Sequence, residues 1–201
     1  MTVRVITEPT VEPVSLAEAI DWTHADDGTA ATDAALTMLI GAMRRYAENL
    51  TGRAFVQRAL QLILPCWQAQ IALPYPPAVS VESVTYVDTD GVVQTLDADL
   101  YVVHDWREPA LIVPAFTAIW PSTRAVLDAV RVNYTAGYAP IGSPADDYAS
   151  GVPPQVKTWM HARIATLHNQ RDQMVQGNVM QIPRDFCDGL LDDLVIGSRL
   201  F

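Results

Sequence analysis

Two of the 201 residues are cysteine, Cys66 and Cys187, far apart and without CxxC spacing. That leaves one disulfide at most, and two buried free thiols in a reducing compartment are the expectation. No apolar run approaches the ~18 residues needed to cross a bilayer, and the opening MTVRVITEPTVEP lacks the charged and apolar regions of a signal peptide. Ten glycines are scattered among turns and caps, so there is no phosphate-cradling loop. Basic residues are scarce as well, 13 against 23 acidic, for a net charge of −10. Residues 1–53 carry four basic and eight acidic side chains, 54–138 four and eight, and 139–201 five and seven. With no basic segment, a module that grips nucleic acid by its phosphates is not expected. Repeats and low-complexity tracts are absent too.

Half the residues are hydrophobic and 18% charged, the balance of a folded chain with a core. Its organising stretch is Asp33 to Arg53. Leu36, Leu39, Ile40, Met43, Tyr46, Ala47 and Leu50 recur at steps of three and four, a helical stripe. Thr32 or Asp33 is the expected cap, and Gly52 the left-handed stop. Upstream, residues 1–12 read as an extended arm. Ser15 and Glu18 have capping-box spacing for a short helix to about Trp22, with Leu16, Ala19 and Ile20 inward.

After Gly52 the hydrophobic period drops to two. Leu60, Leu62 and Leu64 alternate in a strand stopped by Pro65. Leu73 to Pro77 is an extended turn segment. Val81 and Val84 to Val87, a turn at Asp88-Thr89-Asp90-Gly91, and Val92 to Leu96 make a hairpin. Leu100–His104, Leu111–Val113 and Ala129–Tyr134 add short strands, as in a small antiparallel sandwich or barrel. Residues 139–152 form a linker rich in Pro, Gly, Ser and Asp. Pro153-Pro154 opens a helix with Val156, Trp159, Met160, Ile164 and Leu167 inward. A last helical segment is expected from about Pro183 to Leu194, and Val195 to Phe201 is apolar without an evident internal partner. The expected class is α+β: a helical domain (1–53 and 139–201) with an inserted antiparallel β domain (54–138).

Little of this is catalytic. Asp88-Thr89-Asp90-Gly91 starts like a calcium loop but has Asp99 where the bidentate Glu belongs, so a hairpin turn is expected. His161 and His168 lie seven apart on one helix, ~10 Å along its axis, too far to share a zinc ion. His104-Asp105 has no nucleophile motif to serve, and His24 falls in a loop. No catalytic residue, metal site or cofactor is expected. Asp185, Asp188, Asp192 and Asp193 line the last helix while Lys157, His161, Arg163, His168 and Arg171 decorate the one before it. These are solvated faces or charge complementarity between copies.

Three landmarks carry a resemblance: Tyr46-Ala47-Glu48-Asn49-Leu50-Thr51-Gly52-Arg53-Ala54; Leu73-Pro74-Tyr75-Pro76-Pro77 running into Val81 to Gly91; and Val130 to Tyr138 followed by Val152-Pro153-Pro154 and a helix. With Pro13 to Ala19, they span most of the chain in order. The sequence resembles the head–tail connector (adaptor) proteins of long-tailed bacteriophages and phage-derived gene transfer agents; the part after Gln173 departs from the pattern. The resemblance implies a non-enzymatic virion structural protein at the head–tail interface, made in the bacterial cytoplasm. Its relatives form a ring, usually twelve-fold, between the portal and the stopper or tail terminator, through which genomic DNA passes without specific binding and with no membrane involved. On that reading Arg44, Arg45, Lys157, Arg163, Asp188, Asp192, Arg199, Leu200 and Phe201 are candidate subunit or portal contacts. The alternatives are another neck or tail-completion protein, or a small ligand-binding protein or enzyme with a pocket in the β insert.

Overall fold

The computed structural model describes residues 1–25, 29–140, 148–169 and 188–196. The fold is α+β and separates into two compact units: Met1–Thr10 with Val56–Ala139, and Val11–Phe55 with the described residues from Pro140 on.

Among the described residues the helical unit has three α-helices, each packed on the other two: α1 (Leu16–Thr23), α2 (Ala30–Thr51) and α3 (Pro154–Asn169). The capping box is formed, with Ser15 Oγ accepting from Glu18 N at 3.2 Å and Glu18 Oε2 accepting from Ser15 N at 2.7 Å. Those hydrogen bonds, the one to the Ser15 backbone foremost, hold the Glu18 carboxyl below its usual range. Within α1, Ala19 is fully buried and Leu16 and Ile20 are half-buried. Helix α2 starts earlier than expected because Thr29, not Thr32 or Asp33, is the cap, accepting from Thr32 N. Gly52 ends it in the left-handed conformation, φ 71°.

The buried stripe of α2 is rotated from the one read in the sequence. Leu36, Ile40 and Ala47 are buried, but Tyr46 and Leu50 are 50% and 40% exposed, and Arg44, Glu48 and Thr51 take the inner face. On α3, Val156, Trp159, Met160 and Ile164 are buried as expected, whereas Leu167 is 42% exposed. A 3-10 turn, Asp188–Leu194, packs on α2 and α3. The remainder of the expected last helix, Pro183 to Cys187, lies outside the described residues, as do Arg171 and Asp185.

The β unit holds two open antiparallel sheets. One has the order β1 (Thr2–Thr7), β2 (Arg58–Leu64), β8 (Val130–Ala136), β4 (Ala78–Val87), β5 (Val93–Thr95). The other runs β3 (Ile71–Ala72), β7 (Leu111–Pro114), β6 (Tyr101–His104). Neither closes, so the barrel alternative falls away. The core follows the period of two: Leu60, Leu62 and Leu64 on β2 face inward with Val130, Val132, Tyr134 and Ala136 on β8, all nearly or fully buried. Buried Tyr134 donates its hydroxyl to Pro74 O at 2.8 Å, and burial pushes its pKa up. The chain leaves β8 through Gly137 at φ 131°, where a Cβ would sit 2.5 Å from the backbone of Val56 and Gln57. Only glycine fits there.

The first strand corrects the reading of residues 1–12 as an arm of the helical part. Thr2–Thr7 pairs with β2 along its length, from Thr2 opposite Ile63 to Thr7 opposite Ala59, so the N-terminus belongs to the β unit. Cys66 is also corrected: it is a free thiol on the surface rather than a buried one, since β2 ends before it at Leu64. Cys187 lies outside the described residues.

Candidate interaction surfaces

In the helical unit the basic candidates separate. Arg44 is 3% exposed and donates through Nε to Glu12 at 2.7 Å and through Nη1 to Glu48 at 3.1 Å. Glu48 in turn accepts from Phe55 N at 3.0 Å. This network ties the segment before α1, the middle of α2 and the residues after Gly52 together, and Arg44 is not a surface group. Its neighbour Arg45 is exposed. Lys157 and Arg163 on α3 are half-buried, the Arg163 guanidinium 5.7 Å from the Trp159 ring centroid. Asp192 is exposed. The Asp188 side chain and Arg199, Leu200 and Phe201 lie outside the described residues. The start of the C-terminal stretch does have a partner: Ile196 N donates to Thr51 O at 2.9 Å, and Arg53 Nε donates to Leu194 O at 2.6 Å.

Histidines are placed structurally. His24 caps α1 in the left-handed region. His161 stacks on Trp22 at 4.8 Å between centroids, and burial lowers its pKa, partly offset by Glu18 and reinforced by Lys157. His104 Nδ1 accepts from Trp106 Nε1 at 3.3 Å. Asp88 locks its turn, accepting from Asp90 N, Val92 N and Gln94 Nε2; these bonds, that to Gln94 first, lower its pKa.

The β unit carries exposed apolar surface that the sequence reading did not single out. Phe116 is bare, Ile119 and Leu127 are 88% and 89% exposed, and all three lie between β7 and β8. Trp120 in the same connection stacks on Trp67 at 4.5 Å and donates to Gln68 O at 2.8 Å, which anchors it. The large sheet ends on β1 and β5, both lined by exposed apolar residues: Val5 and Ile6 on one, Val92 and Val93 at the other. A shallow cleft lies between the start of β4 and β6, lined by Val79, Val81, Tyr101, Val103 and Asp105, with no histidine among its lining. No cluster of His, Cys, Asp and Glu suited to a metal ion occurs among the described residues.

No protein-family model matches the chain, and no curated protein does. Solved structures do. A chain from the neck of an empty gene transfer agent particle, computed with C6 symmetry, has a TM-score of 0.73 and 22% identity, covering 97% of this chain and 95% of that one. A chain from the virion of a native gene transfer agent particle gives 0.73 and 21% over the same shares. A chain from the neck of a native particle, computed with C12 symmetry, gives 0.65 and 19%, again over 97% and 95%. Over nearly its whole length, therefore, this chain has the fold of chains found in gene transfer agent particles and their necks.

Proposed function

We propose that the chain is a head–tail connector (adaptor) of a long-tailed phage or gene transfer agent, a virion structural protein without catalytic activity. It forms a ring under the portal that continues the DNA channel toward the stopper or tail terminator. The observation that carries this reading is the two-way coverage: helical and β units together match neck chains nearly end to end, rather than sharing one common module. The acidity fits, because a −10 chain lets DNA pass without gripping it. The charged candidates then divide between portal and neighbouring subunits. Arg45, Lys157, Arg163, Asp188, Asp192, Arg199, Leu200 and Phe201 remain in that proposal, while Arg44 is committed inside its own subunit. Electron microscopy of particles purified from the producing cell tests it. Density for this chain in a ring directly below the portal is the expected result. Density elsewhere in the particle, or none, overturns it.

A further inference from the structure

We propose that the five-stranded sheet continues from one subunit to the next, the β5 edge of each copy pairing with the β1 edge of its neighbour. This rests on the ring reading above and names the contact that builds the ring.

A closed ring needs two different surfaces on opposite flanks of each subunit. The ends of an open sheet have that disposition by construction, and here both ends are unpaired among the described residues. Soluble proteins normally blunt such edges with charge, proline or coverage. Strand β1, Thr-Val-Arg-Val-Ile-Thr, has no proline and one charge, and Val5 and Ile6 are 40% and 52% exposed. At the far edge, Val92 O accepts from Asp88 N and Leu96 N donates to Val84 O. By the alternation of an antiparallel ladder, the backbone groups of Val93 and Thr95 point away from β4, into the open edge. Val92 and Val93 beside them are more than half exposed.

Charge and direction agree with the pairing. Arg4, in the middle of β1, makes no ion pair among the described residues, and neither do Asp90 and Asp97, which flank β5. One edge thus offers a cation, and the other two carboxylates, with the Arg124 guanidinium against Gly91 in the turn beside Asp90. Each neighbouring pair in the large sheet is antiparallel, so β1 and β5 run in the same direction. A rotation about a ring axis keeps the strand's component along that axis and turns the rest only by the small step between neighbours, which makes the seam a parallel pair. Two copies meeting β1 to β1 would instead make an antiparallel, two-fold contact and no ring.

The test uses the full chain in assembled particles, with Cys66→Ser and Cys187→Ser as background. Val5→Cys and Gln94→Cys chains are co-expressed in the producing cell, and particles are treated with a short bismaleimide. Mixed dimers are expected, with neither variant cross-linking to itself. Thr95→Pro removes an N–H that points away from its own sheet, so the free chain should melt as the parent does while incorporation into particles falls at least ten-fold. Normal incorporation of Thr95→Pro without mixed cross-links overturns the seam and leaves the ring reading standing. Val5→Cys cross-linking to itself overturns it in favour of two-fold pairing. Absence of the parent chain from the neck overturns the ring reading and the seam with it.

Discussion

Arg44 and Glu48, one turn apart on α2, form an ion pair at 3.1 Å with both side chains almost wholly out of water. Glu12 closes the other side of the guanidinium. Removing one partner of a buried set leaves charge without compensation, so Arg44→Ala should cost about 3–5 kcal/mol. Arg45→Ala, one residue on and exposed, should stay within about 0.5 kcal/mol. Urea titration of both variants checks the contrast; equal losses would contradict the placement.

Ser15→Ala should cost about 1 kcal/mol, since one change removes the acceptor for Glu18 N and a donor to Glu18. Because the folded Glu18 pKa lies below its unfolded value, its contribution is present above about pH 4.5 and is lost as pH falls through the lowered value. Ser15→Ala keeps the backbone N–H that lowers the Glu18 pKa most, so melting temperature against pH should show only a slightly smaller acid-side drop than in the parent.

His161 titrates with the opposite consequence to a salt-bridged histidine. Burial lowers its folded pKa below 6.5, so the unfolded chain takes up the proton first and stability declines as pH falls from about 6.5 through the lowered value. His161→Phe keeps a ring against Trp22 and should flatten that part of the stability–pH curve. An unchanged slope between pH 6.5 and 5 would refute the assignment.

Gly137→Ala combines positive φ with a Cβ forced against the Val56–Gln57 backbone, and should destabilise by at least about 1–3 kcal/mol. Phe116→Ala, at a fully bare side chain, should leave the melting temperature unchanged within about 1 °C. Thermal denaturation of both tells the structural position from the surface one.

On duplex DNA, an acidic chain with no basic sequence segment should bind no tighter than about 10⁻⁴ M at physiological salt. Sub-micromolar binding with a steep salt slope, measured by anisotropy, would count against the channel role.

Where a physical signal is local, the sequence was readable. The switch of period at Gly52, the capping box and the inward Leu60-Leu62-Leu64 alternation all rest on neighbours a few residues apart. What escaped was non-local. The α2 stripe was drawn through Tyr46 and Leu50 because nothing near Arg44 announces that Glu12, thirty-two residues earlier, neutralises it. Strand β1 looked like an arm because its partner β2 begins some fifty residues later, although its β-branched run was the available hint. Of the candidate contacts, charge singled out the residues of the helical unit, while the sheet edges went unseen because an edge is a property of the whole sheet and not of one strand.

The helical unit is built from segments on either side of the large β segment, and that sets a clock on its synthesis. Helix α2 is finished at Thr51, but α3, on which it packs, starts at Pro154. At roughly 5–20 residues per second, the ribosome takes some 5–20 seconds to supply that partner. Throughout that interval α2 has no α3 to pack on, and part of the apolar surface it later buries stays open to water. The β strands finish first, and the helices close last.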